Sequence, residues 1–468
     1  MSIEVRAPER REPPASASVF WTWDRVAAAL GGGPAGDRRF GRVWTDTRTV
    51  QPGDLFVALR GPNFDGHDFL RAAVDAGAGG VVVADAARGA NLGVPVYAVN
   101  DTTRALGALG RFRRRAWNGP VIGVVGSNGK TSTKELVRAA LESRLEVHAS
   151  AANFNNLIGV PLTLLAIPDH ADVAVVEMGT NHPGEIAALR AIVEPDIVVV
   201  TSVAEEHLEG LGDLAGVMRE ELSACDGVPL AIVPATQPEV AAEARRRAAH
   251  VVAAGLDTGD WRAESWSLDA DGFGSARVNG VDAKPPARGA HHLRNAMLAL
   301  AAADACGIAV ADAAAGLAAA RMPAMRGSVE RLGRALLIND AYNANPDSML
   351  AALALLSRVG EGRQRVAVLG SMLEMGAHTE RVHDAVARAA LESPVELLVG
   401  IGEFAPAFRR AGAPPSRVIM ASDVQSAWAA LAPRLQPDAA ILLKGSRGVR
   451  LEQMAPLVAA WAGGRTES

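Results

Sequence analysis

The sequence predicts an α/β protein with three domains, each organised around parallel strands. At 468 residues the chain is too long for a single hydrophobic core, and about three domains are expected for this length. Short, continuously apolar strand patterns alternate with helical patterns along most of the chain, which is typical of parallel sheets covered by helices on both faces. We expect the domains to span residues 19–118, 119–325 and 326–468, after a disordered tail at 1–18.

The composition limits the classes of function. Hydrophobic residues make up 49% and aromatic residues 4% of the chain, which fits a globular α/β protein. The formal net charge of −5 gives no overall attraction to nucleic acid or to an anionic membrane, so neither is an expected partner. The two cysteines, Cys225 and Cys306, support neither a disulfide framework nor a zinc site. Without a secretory signal or an uncharged apolar run of ~18 residues, we expect a cytoplasmic protein with no membrane span.

The first segment contains short strands and ends in a basic helix. Strand patterns cover residues 54–59 and 80–84. The arginine-rich run at 111–115 precedes Trp-Asn-Gly-Pro at 117–120, which indicates a helix end followed by a linker. We interpret the run as a solvated helix end rather than as a binding surface.

The second segment opens with a glycine loop between a buried strand at 121–125 and a helix start. In such a loop, backbone N–H groups and the helix N-terminus can hold phosphate oxygens. Lys130 would contact the β- and γ-phosphates, and the Thr131 hydroxyl can ligate Mg²⁺. The pattern is shorter than G-x-x-x-x-G-K-[ST], because Val124 stands at the position of its first glycine. The alternative interpretation is a tight strand-to-helix turn with a surface lysine.

Two further strand patterns in this segment, at 172–177 and 196–201, end close to polar side chains. Glu177 ends the first, and His207 follows the second. Ligands of parallel sheets bind beyond the carboxyl ends of the strands, so these residues and the glycine loop are expected to converge. Thr131 and Glu177 are the oxygen ligands that Mg²⁺ prefers. A solvated Glu177 and a surface His207 are the alternatives. His291 and Asn295, four residues apart, would share a helix face, where a structural role for the asparagine is the alternative.

The third segment repeats the alternation of strands and helices and predicts a second open α/β domain. Its strand patterns cover residues 335–339, 365–369, 396–399, 418–420 and 439–443. Asp340 follows the first, and Lys444 and Arg447 follow the last. Such groups would reach a phosphate site in the second segment if the two domains closed on each other.

Taken together, these motifs resemble the Mur ligase family, and within it the members that add D-alanyl-D-alanine to a UDP-muramoyl tripeptide. The resemblance covers residues from about 40 to 455. The loop at 126–131 is similar to the shortened P-loop of that family. The other similar motifs are residues 45–48, 53–59, 65–69, 153–161, 177–179 and 207–210, the His291/Asn295 pair, and residues 340–346, 368–376 and 444–447.

The resemblance implies a UDP-binding N-terminal domain, a central ATPase domain with the P-loop, and a Rossmann-like C-terminal domain. It implies ATP and Mg²⁺ as cofactor and metal, three small-molecule substrates and a monomer. It also implies an acyl-phosphate intermediate that the amine of D-alanyl-D-alanine attacks. The catalytic residues would be Lys130, Glu177 and His207, with Thr131, Glu177 and His207 near the metal. The ATP site would comprise Gly126, Ser127, Asn128, Gly129, Lys130, Thr131, Ser132, Asn295, Arg326, Asp340 and Lys444. The substrate site would comprise Asp46, Thr47, Arg48, Asn155, Asn156, Tyr342, Asn343 and Asn345.

The chain departs from the family at one position of consequence. Family members carry a carbamylated lysine after the histidine motif, whereas the lysines of this chain are Lys130, Lys134, Lys284 and Lys444. Either Glu220 or Glu221 replaces its anionic oxygens, or the second metal is lost and activity is weak. Ala152 replaces a family glycine and Ser371 a family aspartate, both with modest expected effects.

Two other functions stay open on the sequence. One is a related amide ligase with a different amine acceptor, and the other is a nucleotide-dependent binding protein that no longer ligates. The third residue of the accepted peptide, lysine or diaminopimelate, is also open.

Overall fold

Three mainly parallel sheets, formed by three consecutive segments of the chain, organise the molecule. The structure is a computed structural model that describes residues 19–32, 36 and 38–463. The tail predicted at 1–18 lies outside the described residues. The three-sheet α/β architecture agrees with the fold class predicted from the sequence. Among the described residues, none of the helices combines the length and apolarity needed to cross a bilayer.

The first segment forms a four-stranded parallel sheet. Its elements are β1 (Trp21–Thr22), α1 (Trp23–Leu30), β2 (Arg39–Phe40), β3 (Val43–Trp44), β4 (Leu55–Val57), α2 (Leu70–Asp75), β5 (Gly80–Val83), β6 (Val96–Ala98) and α3 (Thr102–Trp117). The sheet order is β3-β4-β5-β6, and β1 pairs with β2 in an antiparallel manner. β4 and β5 lie within the strands predicted at 54–59 and 80–84.

The second segment forms a seven-stranded parallel sheet and a small antiparallel meander. Its elements are β7 (Val121–Val125), α4 (Lys130–Glu142), β8 (Val147–Ala149), α5 (Gly159–Leu165), β9 (Val173–Glu177), α6 (Glu185–Val193), β10 (Ile197–Val200), α7 (Leu208–Leu211), α8 (Leu214–Leu222), β11 (Leu230–Pro234), α9 (Pro238–Ala244), β12 (His250–Gly255), β13 (Trp261–Arg262), β14 (Ser265–Leu268), β15 (Gly274–Val278), β16 (Val281–Ala283), α10 (Ala290–Ala305) and α11 (Val310–Ala318). The large sheet has the order β13-β12-β11-β10-β7-β9-β8.

The centre of this sheet is buried on both faces. The residues of β7, β9 and β10 are all buried, and most of them are β-branched, which suits a pleated, covered surface. Along β7, Ile122 and Val124 pack toward α4 and α10, while Val121 and Val125 pack toward α5 and α6. The chain leaves β7 toward β8 and β9 on one side and later continues from β10 on the other side. The carboxyl end of β7 therefore lies at a topological switch point, where open α/β sheets bind ligands.

The third segment forms a six-stranded sheet in which the first strand is antiparallel and the other five are parallel. Its elements are β17 (Ser328–Leu332), β18 (Ala335–Asp340), α12 (Pro346–Val359), β19 (Arg365–Leu369), α13 (Thr379–Glu392), β20 (Leu397–Ile401), α14 (Phe404–Arg410), β21 (Val418–Ala421), α15 (Val424–Leu431), β22 (Ala440–Lys444) and α16 (Ala455–Gly463). The sheet order is β17-β18-β22-β19-β20-β21. The five strands predicted here are β18 to β22, with ends shifted by at most two residues.

The arginine run at the end of α3 corrects one prediction. α3 does end at Trp117, and Arg111 and Arg115 are exposed as predicted. Arg113 and Arg114, however, are each only 5% exposed and are not solvated. Arg114 donates hydrogen bonds to the carbonyls of Val193 and Glu194 and pairs with Asp196 at 3.0 Å. Arg113 pairs with Asp169 at 2.6 Å. The run therefore fastens the helix of the first segment to the second segment, because its partners all lie beyond residue 160.

Candidate functional site

The turn between β7 and α4 requires two glycines and presents backbone amides. Gly126 and Gly129 have φ values of +119° and +82°, which residues other than glycine rarely adopt. A Cβ atom at Gly126 would lie 2.7 Å from the Ser202 carbonyl, and one at Gly129 would lie 2.6 Å from Nδ2 of Asn295. The Ser127 amide donates to the Ser202 carbonyl at 2.7 Å, which holds the turn against the loop after β10. The N-terminus of α4 is thus left open to an anion.

Glu177 ends β9 beside the first turn of α4, as predicted. The Thr131 hydroxyl donates to its Oε1 at 3.2 Å, and Nδ2 of Asn155 donates to the same oxygen at 3.0 Å. The other oxygen, Oε2, is buried and has no hydrogen-bond partner among the described residues. A buried carboxylate oxygen without a partner costs free energy, whereas a divalent cation would satisfy it. Thr131 and Glu177 therefore fit a Mg²⁺ ion.

Lys130 lies among buried carboxylates. Its Nζ atom is 3.6 Å from Oε1 of Glu206, and Oε2 of Glu221 accepts the Gly126 amide at 2.8 Å. Burial lowers the pKa of Lys130, but Glu206, Glu221 and Glu177 outweigh that effect and raise it above its usual value. Burial raises the pKa of Glu206 to about 8, and it also raises the pKa of Glu221. The lysine therefore stays cationic where phosphate would bind.

His207 lies where the second and third segments meet. Its Nδ1 atom is hydrogen-bonded to the Glu374 carboxylate, and Nε2 lies 3.8 Å from Oε2 of Glu206. Burial and the charge of Lys130 lower the pKa of His207, despite the opposing effect of Glu374. A neutral imidazole with one nitrogen held by a carboxylate is oriented as a ligand or a proton carrier.

Two adjoining cavities open on either side of the glycine turn. The first encloses ≈ 350 Å³ and the second ≈ 560 Å³. The first is lined by the predicted ATP residues Ser127, Asn128, Gly129, Ser132, Asn295, Arg326, Asp340 and Lys444, with Tyr342 and Asn343. The second is lined by Lys130, Thr131, Asn155, Asn156, Glu177 and His207 among the predicted residues. Ser127, Gly129, Arg326, Tyr342 and Asn343 line both, so the two cavities communicate beside the turn.

The first cavity is lined by side chains of α10 and by a pair of oppositely charged side chains from the third segment. His291 and Asn295 project into it from α10, as their spacing predicts. Burial lowers the pKa of His291 well below its usual value, so this imidazole is neutral. At the other wall, Lys444 is buried, pairs with Asp340 at 2.9 Å and donates to the Asn343 carbonyl at 2.6 Å.

The third segment closes over the second through specific contacts. The Arg326 guanidinium stacks over the Tyr342 ring at 4.1 Å, and Nδ2 of Asn345 donates to Oδ1 of Asn128 at 2.9 Å. Asn345 is buried as the N-cap of α12 and does not itself line either cavity. Its contact joins the third segment to the glycine turn.

Three predicted substrate residues lie away from the cavities. Asp46, Thr47 and Arg48 line neither of them. Asp46 caps the short helical turn Thr47–Thr49 and pairs with Arg48 at 2.7 Å on the surface of the first segment. Gly126 also lines neither cavity, because it lies beneath the turn.

Several residues of the site were not predicted from the sequence. Thr236 and Gln237 line the first cavity, and Glu206 and Glu374 line the second. Gln237 follows β11, so the rule that identified Glu177 would have identified it too. Glu206 is adjacent to His207, and this adjacency was the available signal.

The two glutamates proposed to replace the carbamylated lysine have different environments. Glu220 accepts hydrogen bonds from Gly184 at 2.7 Å, Ile186 at 2.8 Å and Thr180 at 3.2 Å, so both of its oxygens are engaged at the start of α6. Glu221 has one engaged oxygen and one buried oxygen without a hydrogen-bond partner in the described part of the chain. Neither residue lines the second cavity.

The sequence of the chain matches models of a known protein family over all three segments. The chain matches the models of the Mur ligase family catalytic domain over residues 40–153, the Mur ligase middle domain over 124–303 and the Mur ligase, glutamate ligase domain over 321–447. It is 33% identical over 425 residues to the UDP-N-acetylmuramoyl-tripeptide–D-alanyl-D-alanine ligase of Bacillus subtilis, covering 88% of this chain and 92% of that protein.

Solved structures give the same result. A crystal structure of MurF from Acinetobacter baumannii superposes with a TM-score of 0.86 at 28% identity, covering 97% of this chain and 100% of that chain. The MurF ligase from Thermotoga maritima in complex with ADP gives a TM-score of 0.78 at 25% identity, covering 91% and 98%. The chain therefore belongs to the Mur ligase family, and within it to the group of UDP-N-acetylmuramoyl-tripeptide–D-alanyl-D-alanine ligases.

Proposed function

We propose that this protein joins D-alanyl-D-alanine to the terminal carboxylate of a UDP-N-acetylmuramoyl tripeptide, at the expense of ATP, in peptidoglycan precursor synthesis. The observation that carries the proposal is the pair of communicating cavities that meet at Gly129, with Lys130 lining the second of them. One cavity has the lining of a nucleotide site, and the other is polar and has room for a carboxylate and an amine beside the phosphates. The names of its relatives supply the identities of the two substrates.

The chemistry brings two anions together. The tripeptide carboxylate attacks the γ-phosphorus of ATP, the bond from that phosphorus to the β,γ-bridging oxygen breaks, and ADP leaves. The amine of D-alanyl-D-alanine then attacks the acyl carbon, and the tetrahedral intermediate expels inorganic phosphate as the amine loses its proton. Lys130 and the amides of the glycine turn offset the repulsion between carboxylate and triphosphate as charge shifts in the transition state.

Thr131 and Glu177 would hold Mg²⁺, and His207 would lie beside it. Bound there, the ion would neutralise phosphate charge and polarise the γ-phosphoryl group. Asn155 keeps the Glu177 carboxylate in place through its 3.0 Å hydrogen bond. Glu374 orients the His207 ring from the third segment. These roles are supported by the contacts of the side chains and by the unpartnered oxygen of Glu177.

The acyl phosphate must be kept from water. Because residues of the second and third segments line both cavities, closure of the third segment would exclude solvent while the amine enters. Asn295 would contact the adenine, with Arg326, Asp340 and Lys444 reaching the nucleotide. Tyr342 and Asn343 would face the acceptor, and Asn345 would support the glycine turn through its hydrogen bond to Asn128. Asp46, Thr47 and Arg48 would bind the UDP moiety.

The proposal includes domain boundaries at 119 and 326, a monomer and a cytoplasmic location. The boundaries fall between the elements of the three large sheets. ATP and UDP-linked precursors are cytoplasmic metabolites, which supports the location.

The test is phosphate release from ATP with the tripeptide substrate and a panel of acceptor amines. We expect release only when both the tripeptide and D-alanyl-D-alanine are present. Lysine- and diaminopimelate-containing tripeptides, assayed in parallel, identify the preferred third residue. Release with a different amine would instead indicate a related amide ligase, and nucleotide binding without any release would indicate a protein that no longer ligates.

A further inference from the structure

Glu206 is a buried carboxylate to which the reaction described above assigns no role. It directly precedes His207 in the loop after β10, is 3% exposed and lines the second cavity. Its Oε1 atom makes no hydrogen bond within the described part of the chain, with Nζ of Lys130 3.6 Å away. Its Oε2 atom lies 3.8 Å from Nε2 of His207. Lys130 is thus the ion-pair partner of Oε1, but the oxygen accepts no hydrogen bond from the described residues and can still engage a ligand.

The neighbours of Glu206 indicate the ligand. Glu177, whose Oε2 atom also has no hydrogen-bond partner among the described residues, lines the same cavity as Glu206. Carboxylate oxygens are ligands that Mg²⁺ prefers, and a divalent cation offsets the negative charge that ATP brings into the cavity.

The site is incomplete without the nucleotide. Among residues 19–32, 36 and 38–463, no group of three or more His, Cys, Asp or Glu side chains is arranged to hold a metal ion alone. Mg²⁺ commonly binds through one or two carboxylates together with phosphate oxygens and water. Glu177 and Glu206, which line one cavity, would need the nucleotide to complete such a site.

We propose that Glu206 is a direct carboxylate ligand of the divalent cation that accompanies the nucleotide phosphates. The inference rests on the proposed function, since it assumes that phosphates occupy the second cavity. It favours Glu206 over Glu220, whose oxygens are engaged by Gly184, Ile186 and Thr180, and over Glu221, which lies outside the cavity lining. His207, the residue after Glu206 in the chain, would then lie beside the same ion.

The test measures metal binding without turnover. Mn²⁺ affinity of the ADP-saturated protein is followed through the electron paramagnetic resonance signal of free Mn²⁺, for the parent, Glu206→Gln and the control Glu209→Gln. Glu209 is an exposed carboxylate three residues further along. We expect Glu206→Gln to weaken Mn²⁺ binding by about tenfold or more and Glu209→Gln to leave it unchanged. Equal Mn²⁺ affinity in the parent and in Glu206→Gln would overturn the proposal.

A purely structural role for Glu206 predicts a different pattern. If the carboxylate only pairs with Lys130, Glu206→Gln changes the affinity for ADP in the presence of EDTA and leaves Mn²⁺ affinity untouched, which contradicts the proposal. Should Glu206→Gln fail to fold, Glu206→Cys decides. A thiolate ligand prefers Cd²⁺ to Mn²⁺, so a shift of the metal preference toward Cd²⁺ supports direct ligation, and no shift refutes it.

The two proposals fail separately. Metal binding in the presence of ADP requires neither the tripeptide nor D-alanyl-D-alanine. If the parent binds Mn²⁺ through Glu206 but releases no phosphate with the two substrates, the ligase assignment fails and the metal assignment stands. If the parent ligates and Glu206→Gln binds Mn²⁺ normally, only the role of Glu206 is wrong.

Discussion

At the scale of single residues, the site depends on buried carboxylates that keep one oxygen free. Glu177 is the best defined of them, because Thr131 and Asn155 both donate to its Oε1 atom and leave Oε2 open. A glutamine at this position can still accept both hydrogen bonds but loses the charge that attracts the cation.

Glu177→Gln should therefore fold and bind nucleotide but react slowly. We expect kcat to fall by about 100-fold or more, and the Mg²⁺ concentration needed for half-maximal activity to rise. Phosphate release measured across a Mg²⁺ titration checks both effects. Glu142→Gln, which removes a partly exposed carboxylate at the end of α4, serves as the control and should behave as the parent. An unchanged Mg²⁺ requirement in Glu177→Gln would rule out its role as a ligand.

The residues of the site were predictable from the sequence to different degrees. Lys130, Thr131 and Glu177 lie together, as expected for residues that follow strands of one parallel sheet. Glu206 was passed over because nothing in a run of two acidic residues tells which side chain points inward. Burial of Arg113 and Arg114 was also missed, since their partners are 54 to 82 positions away in sequence and only the fold brings them near.

At the scale of elements, α3 connects the first segment to the second. Its Arg114 side chain is buried and reaches the carbonyls at the end of α6 as well as Asp196. Asp196 also accepts the Val121 amide at 2.8 Å, so the same carboxylate orients the start of β7. This arginine therefore helps to fix the position of the first segment relative to the glycine turn.

Arg114→Ala should loosen the attachment of the first segment. Loss of the hydrogen bonds made by this buried cation costs about 2–3 kcal/mol, which lowers the first thermal transition by roughly 10–15 °C for a unit of about 100 residues. Differential scanning calorimetry measures the shift. Arg104→Ala removes an exposed arginine of the same helix, whose contact with Asp101 is 3.7 Å long, and should not change the transition. Equal shifts in both variants would contradict the account of α3.

Elements with long apolar runs were predicted well, and short or polar ones were not. β19 has the predicted bounds, and β7, β9 and β10 lie within the predicted ranges, because a run of buried β-branched residues has few alternatives. β1 and β2 have two residues each and carry no periodic pattern. The meander β14–β16 was also missed, since half-exposed, alternating strands are weaker signals than buried ones.

At the scale of the whole molecule, the second and third segments meet at a set of polar contacts around the second cavity. The backbone carbonyl of Glu374 accepts a hydrogen bond from the Glu209 amide at 3.0 Å. The Glu374 carboxylate is hydrogen-bonded to His207. Arg381 pairs with Glu205 at 2.6 Å, and Nε2 of His378 lies 2.9 Å from the Gly212 carbonyl. These contacts hold the third segment over the phosphate site.

Arg381→Glu should shift the molecule toward an open arrangement. Replacing an exposed ion pair by two like charges changes the free-energy difference between the closed and open arrangements by roughly 1 kcal/mol. This corresponds to about a fivefold change in the ratio of closed to open molecules. We expect a larger radius of gyration by small-angle X-ray scattering and a higher KM for ATP, because both cavities are lined from both segments. Arg388→Glu, an exposed position further along α13, is the matched control. A radius identical in the two variants would argue against these contacts as a closure device.

The account as a whole requires Lys130 to offset the repulsion between the tripeptide carboxylate and the triphosphate. The most direct measurement is the single-turnover ligation rate of Lys130→Ala with saturating substrates, beside Lys284→Ala, which removes an exposed lysine. Circular dichroism of both variants checks that they are folded. We predict a rate about 100- to 1,000-fold below the parent for Lys130→Ala and the parent rate for Lys284→Ala. Ligation by folded Lys130→Ala at the parent rate would contradict the account.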